Sequence, residues 1–476
     1  MQNALLRHAD FRRLWAADAL SQAGTQVTVI ALPLLLIKVL DAGPFEVGLL
    51  TTFEFLAFLV VGLPAGVWVD RVRRRNVLIV TDLVRGVLYG SLPLAWAFDM
   101  LTLGQVYAVA LVAGVCTVFF DVAYQSYLPH LVGRDNLVEG NAKLQGTQSV
   151  AQVAGPTVGG LLVQALTAPY AVLVDAASFL WSAIWIGSIR SREARPERAA
   201  DRHLGREMKE GLSFVLGHPL LRAITACTAT ANLFQNVAMT VFVVLLAGAD
   251  ELNLSAGTIG LLFSASAVGG LLGALVARRI AGWVGQGPAL WISIAVSVPA
   301  MLPLPFVQRG WLLWLVAAAS VVTGVTIVVY NITQVSFRQL LCPERLLGRM
   351  NATVRFAVWG TIPIGSLLGG ILGSTIGLRP TLWVAIAGSL LAVLPVFLSP
   401  LRTMRELPTD YVPPGAELGT GGPPVAGAVS GPATGQDGGV TGPTGATAGG
   451  SGGSGGSGVA GDRAAGVAGE RGDGAP

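Results

Sequence analysis

Residues 66–75 read GVWVDRVRRR. An apolar run ends there in an acid and a block of arginines, and a second apolar run follows at once. Arginine resists leaving water, so Arg71 and Arg73 to Arg75 hold this turn on one side of a bilayer. Asp70 can satisfy free backbone donors at the start of the next helix, or pair with Arg71. A charge cluster that merely stopped translocation explains the arginines, but it does not require Gly66 four residues before the acid. The flanking runs, 45–69 and 76–97, are long enough to cross ~30 Å of hydrocarbon as helices.

Working outward, twelve such runs fall at 12–38, 45–69, 76–97, 104–128, 146–167, 171–189, 220–247, 255–277, 287–308, 311–340, 353–376 and 380–398. Apolar residues make up 53% of the 476 and charged residues 12%, whereas a soluble chain carries about 25% charge. The basic residues alternate between loops. One side receives Arg7, Arg12, Arg13, the arginines of 71–75, Arg134, Lys143, the run from Arg190 to Lys209, Arg278, Arg279, Arg345, Arg349, Arg402 and Arg405; the other receives Lys38, Arg309 and Arg379. Positive loops stay in the cytoplasm, so an even number of spans with both termini cytoplasmic is expected. The net charge of +4 then reflects topology, and nucleic-acid binding is the poorer explanation. No small-residue cleavage site precedes the first run, so no removed signal peptide is expected.

The chain divides into an amino-terminal bundle over 1–189, a linker over 190–219, a carboxy-terminal bundle over 220–405 and a tail over 406–476. The linker ends in EMKEGLSFVLGHPLL, which reads as an amphipathic helix on the cytoplasmic face. The tail is Gly-, Pro- and Ala-rich and cannot bury enough apolar surface to fold. Cys116, Cys227 and Cys342 are far apart and odd in number, which favours reduced thiols. His8, His130, His203 and His218 lie near expected cytoplasmic helix ends and do not have the spacing of a metal site. No metal or cofactor is expected.

Residues 146–160, GTQSVAQVAGPTVGG, place Gly146, Gly155, Pro156, Gly159 and Gly160 in one apolar stretch. Glycines let helices approach closely, and a proline removes one backbone hydrogen bond and bends the rod. A shift of 210 residues aligns Ser126 with Ser336, Tyr127 with Phe337, Asn141-Ala142 with Asn351-Ala352, Gly155 with Gly365, and Gly159-Gly160 with Gly369-Gly370. Gly146 and Pro156 have no counterpart, standing opposite Phe356 and Ser366, so the proline bend is expected in the first half only. Parallel six-helix halves with the substrate between them are one way to build a secondary transporter.

The loop at 66–75 resembles the cytoplasmic loop motif of the major facilitator superfamily at Gly66, Asp70, Arg71, Arg74 and Arg75, with Arg73 standing where that family usually has a second glycine. The resemblance covers roughly residues 5–405. It implies an all-α fold of twelve membrane helices in two pseudo-symmetric bundles, and a loop that latches the outward-facing state through contacts between them. Gly146, Gly155, Pro156, Gly159 and Gly160 resemble the span-five motif of the family's drug:proton antiporters. FRRLW at 11–15, DLVRG at 82–86 and LVGRDNLVEGNA at 131–142 resemble the branch of macrolide-efflux and siderophore-export permeases.

Ionisable residues inside spans are costly and are functional candidates by default. Asp18, Glu54, Asp82, Arg85 and Asp121 qualify as proton-coupling candidates. Asp82 and Arg85 stand three apart on one helix face, where a structural ion pair is equally consistent. Asp121 precedes the polar stripe Tyr124, Gln125 and Ser126, and Asp18 also suits an interhelical bond near the entrance. Spans one, four, seven and ten should line the cavity, contributing Gln22 and Gln26; Tyr124 and Gln125; Asn232, Gln235 and Asn236; and Tyr330, Asn331 and Gln334. Interhelical hydrogen bonding is the competing role for each. Amides and aromatics among Val, Leu and Phe suit amphiphilic organic compounds.

The first expectation is proton-driven export of hydrophobic or amphiphilic molecules by a monomer in the cell membrane. A dedicated exporter of one metabolite such as a siderophore is the second, and a receptor or scaffold on a transporter fold the third. No phosphate-binding loop, zinc-type histidine spacing or nucleophile elbow points to an enzyme.

Overall fold

The computed structural model describes residues 5, 8–69, 71–133, 136–191, 193, 204–343 and 346–405. Asp70, Arg134, most of the linker before Leu204 and the 406–476 tail lie outside the described residues. Among the described residues the regular structure is helical. Twelve helices are long and apolar enough to span a membrane: Ala9–Val39, Pro44–Gly62, Arg74–Ala97, Leu103–Val132, Glu139–Leu166, Ala168–Gly187, Pro219–Ala247, Ala256–Val284, Gln286–Phe306, Trp311–Leu341, Leu347–Thr375 and Leu378–Phe397. They are numbered here as spans one to twelve.

Polar contacts fix which ends share a face. The Asp10 carboxylate accepts from the backbone N–H groups of Arg190 (3.2 Å) and Ser191 (3.0 Å), Arg75 donates to the Ile186 carbonyl (3.1 Å), and Gln286 N–H reaches the Arg405 carbonyl (3.1 Å). These groups form the basic face. Opposite, Lys38 donates to Asn253 (3.0 Å), Arg309 to the Leu252 carbonyl (2.9 Å) and Arg379 to the Pro305 carbonyl (2.6 Å). The three basic residues assigned to the second side thus each find a partner there, and Lys38 joins one half to the other.

The repeat is visible at the first turn of each half. His8 accepts from Phe11 N–H (3.3 Å) at the start of span one, and His218, 210 residues later, accepts from Leu221 N–H (3.4 Å) at the start of span seven. Both imidazoles act as helix N-caps, satisfying a backbone donor that has no partner inside the helix.

The glycines divide into two jobs, and the repeat preserves the division. Gly155 and Gly159 lie against Gln26 and Val27 of span one, while Gly365 and Gly369 lie against Leu233, Asn236 and Val237 of span seven. Gly160 faces Ala256 and Gly260 across the halves, and Gly370 faces Pro44 and Phe45. Side chains at these last two positions would push the halves apart. Nearby, Thr52 donates to the Pro363 carbonyl (3.1 Å) and Thr157 bonds Ser264 (2.7 Å). All these contacts lie towards the face opposite the basic one. Towards the basic face a side chain added at Gly62, Gly66 or Gly146 would meet nothing within 4 Å.

The helix interruption falls in the second half of the chain. Span five runs as one helix, Leu137–Leu166, through Pro156. Span eleven is the interrupted one, with segments Leu347–Trp359 and Thr361–Thr375. Pro363 has no N–H, so the Trp359 carbonyl loses the partner four residues on, and the helix breaks at Gly360. Sequence reading weighed Pro156 and passed over Pro363. The linker helix, Leu204–Gly217, packs on the basic-face segment of span eleven: Gly211 meets the Arg349 carbonyl and Thr353, and Arg349 pairs with Glu210 at 2.5 Å.

Candidate substrate cavity

A cavity of about 580 Å³ lies between the halves. Its ionisable lining residues, Asp18, Glu54, Arg85, Tyr89, Asp121 and Asp175, all come from spans one to six. Spans seven, eight and eleven supply uncharged groups, among them Asn236, Met239, Phe263 and Ser366. Each carboxyl group has its own setting. Glu54 stands beside Phe55 and Phe58 with no hydrogen bond or ion pair among the described residues. Asp18 is buried and neighbours Gln22 and Tyr124. Asp82 is fully buried and ion-paired with Arg85, whose guanidinium lies between the rings of Phe120 (4.5 Å) and Phe179 (4.3 Å). That pair is a neutralised unit that ties span three to spans four and six.

A second cavity, about 310 Å³, opens between spans two and four on one side and span eleven on the other. Asp121 lines both cavities, and Gln125 lines only the second. Arg355 faces this space from span eleven, its guanidinium 4.1 Å from the Trp359 ring, which in turn meets Phe58 edge-on at 4.9 Å. A third cavity, about 110 Å³, lies wholly within the carboxy half.

The remaining candidate residues fall as follows. Gln22 and Asn236 reach the main cavity, whereas Gln26 packs on Gly155 in the wall between spans one and five. Asn232, Gln235, Tyr330 and Asn331 line the third cavity, where the Tyr330 and Thr228 hydroxyls bond at 2.6 Å. Gln334 is buried behind them, 3.5 Å from Asn331. Spans seven and ten therefore do not present one shared wall to the main cavity. Pro156 lines it, and Gly146 borders open space. In the 66–75 loop, Arg74 lies 3.5 Å from Glu193, while Arg75 binds Glu193 through its backbone N–H (3.2 Å) and the carbonyls of Ile186 and Gly187 through its guanidinium. These contacts stay on the amino-half side, and Arg71 is exposed. Among the described residues no group of His, Cys, Asp and Glu is placed to hold a metal ion.

The profile of the Major Facilitator Superfamily matches residues 14–360 and again 227–432. The chain belongs to the Major Facilitator Superfamily. Among relatives of this facilitator, the multidrug efflux pump Tap of Mycolicibacterium fortuitum is 27% identical over 80% of this chain and 94% of its own length. The enterobactin exporter EntS of Escherichia coli O1:K1 is 26% identical over 77% of this chain and 86% of its own. Among solved structures, the nucleoside transporter NupG superposes with a TM-score of 0.64 at 13% identity, covering 82% of this chain and 98% of that one. A bacterial homologue of the iron transporter ferroportin, in an inward-facing state, gives 0.64 at 17%, covering 83% and 99%. The facilitator is thus a multi-pass membrane transporter and not an enzyme.

Sequence reading missed Asp175 and Arg355 in this facilitator. Asp175 is buried, accepts from Ser178 (3.0 Å) and fills the space left by Gly24. Both residues lie inside apolar runs, so the rule that found Asp121 would have found them.

Proposed function

We propose that this chain exports amphiphilic organic molecules by proton antiport, the two halves rocking about the main cavity. The observation that carries the reading is the asymmetry of that cavity. Its ionisable side chains are all on the amino half, while the facing surface is uncharged and largely apolar. A proton carrier and a substrate surface are thereby divided between two bodies that move against each other. With the basic face in the cytoplasm, the structure is the inward-facing state, closed outside at Gly160 and Gly370. Glu54 and Asp121 are the leading proton carriers, since neither has a hydrogen bond or ion pair among the described residues. Asp82 and Arg85 serve the fold.

The relatives named as a multidrug pump and an enterobactin exporter support the outward direction. The second of them also favours another reading, export of one dedicated metabolite through the same cycle. Everted vesicles acidified inside separate the possibilities. A lipophilic dye, a macrolide and a catechol chelator are offered in turn, and uptake abolished by an uncoupler is expected for one or more. Uptake of several classes supports broad export, and uptake of the chelator alone supports the dedicated exporter. Uptake that ignores the uncoupler would contradict antiport.

A further inference from the structure

Asp121 and Arg355 face the same 310 Å³ cavity from opposite halves of the molecule. At ~1.5 Å per residue, Asp121 lies about 16 Å from the basic-face end of span four and Arg355 about 12 Å from that end of span eleven. Their depths therefore lie within about 4 Å of each other. Neither makes a hydrogen bond or ion pair among the described residues, although each is ionisable inside a membrane span, where an unpaired charge is costly. Arg85, the nearest alternative cation for Asp121, is already bound to Asp82. Arg355 rests on Trp359, the residue before the break in span eleven at Gly360.

We propose that Arg355 is the counter-charge of Asp121 in the opposite conformation, the pair forming when the basic face closes and parting when Asp121 takes a proton. This rests on reading Asp121 as a proton carrier. The sign follows directly. Closure is favoured while Asp121 is ionised, at high pH, and that advantage is lost as falling pH protonates it. The titratable and charged groups that surround Asp121 are Asp18 on span one, Glu54 on span two, Asp82, Arg85 and Tyr89 on span three, Tyr124 on span four, Asp175 on span six and Arg355 on span eleven. Of the two arginines in this set only Arg355 belongs to the other half, so only it can turn a protonation into a motion between halves. Arg355 is a positioning residue in this scheme and need not touch the substrate.

The test is a distance measurement, independent of transport. Spin labels at Val72→Cys and Leu340→Cys, both exposed on the basic-face side, are placed in the full chain with Cys116, Cys227 and Cys342 replaced by serine, in lipid nanodiscs. Raising the pH from about 5 to about 8 should increase the short-distance population about tenfold in the otherwise unaltered chain. Arg355→Gln and Asp121→Asn should each flatten that response, Arg355→Lys should keep part of it, and the exchange Asp121→Arg with Arg355→Asp should restore it. An unchanged response in Arg355→Gln, or an exchange that stays open at every pH, overturns the pairing. If the pairing fails while vesicle uptake still needs the proton gradient, only the partner of Asp121 is wrong. If uptake ignores the uncoupler, the antiport reading falls and the distances still decide the pair.

Discussion

Glu54 and Asp121 line the cavity that Arg85 also lines, yet they differ from Asp82, the buried partner of Arg85, in one respect that decides their roles. Asp82 has a guanidinium in contact, whereas the other two have no hydrogen bond or ion pair among the described residues. Removing either free carboxyl should cost transport and not folding. We expect Asp121→Asn or Glu54→Gln to lower proton-driven uptake at least about tenfold at normal expression, as loss of a proton-transfer group does. Wild-type rates in both would remove them from the mechanism. Asp82→Asn should instead strand the Arg85 charge in the bundle and lower the unfolding temperature, read by thermal denaturation in detergent. His218 makes a separate prediction. Its N-cap role needs an acceptor nitrogen, and burial pushes the imidazole below its ordinary value, so the folded state favours the neutral form. Stability from this site is present above about pH 6.5 and lost as the pH falls below it. His218→Asn should keep the cap and blunt that loss, while His218→Ala should cost about 1 kcal/mol at neutral pH. An unaltered pH profile in His218→Asn would contradict this. At this scale the sequence was informative about charge and about the local Asp82–Arg85 pair, and uninformative about pairing between spans. Asp18, Glu54 and Asp121 are legible as acids in apolar runs, but whether each meets a partner depends on helix rotation.

Spans five and eleven carry the argument at the scale of elements. Their glycines repeat, and the structure gives the repeat a physical meaning: one pair seats each helix on the first span of its own half, and Gly160 and Gly370 bring the halves together. Gly160→Leu or Gly370→Leu should therefore hold the face opposite the basic one ajar and abolish transport, while Gly146→Leu should leave that face closed. Access of a membrane-impermeant thiol reagent to a cysteine at Asn236, in the main cavity, distinguishes these outcomes; equal access in all three variants would refute the assignment. The glycine spacing was readable in the sequence, including the alignment of Gly160 with Gly370. The break in span eleven was not, because a proline bends or interrupts a helix according to what its neighbours allow. Pro156 is accommodated and Pro363 is not. The division of the amide residues was equally hidden. Asn232 and Asn236 are four apart on one helix, yet one faces the third cavity and the other the main one.

For the whole molecule, the alternation of basic loops gave the number of spans and the sharing of faces, since hydration of arginine acts on every loop alike. It carried no information on which face is closed, because that depends on a few close contacts between halves. The structure is held shut at one face by small residues and by the Lys38–Asn253 bond, whereas Gly62, Gly66 and Gly146 towards the other have no neighbour within 4 Å. Deleting residues 409–476 should leave uptake unchanged, since the residues that line the main cavity all precede them; a large loss would give the tail an active part. The central claim is that substrate and protons move in opposite directions through one cavity. Its most direct test is the full chain in liposomes with a pH-sensitive dye trapped inside, loaded with whichever compound the vesicle screen identifies and diluted into compound-free buffer. Efflux of the compound should draw protons inward and acidify the lumen, and Asp121→Asn should suppress the acidification. A lumen whose pH stays constant while the compound leaves through the protein would contradict the account.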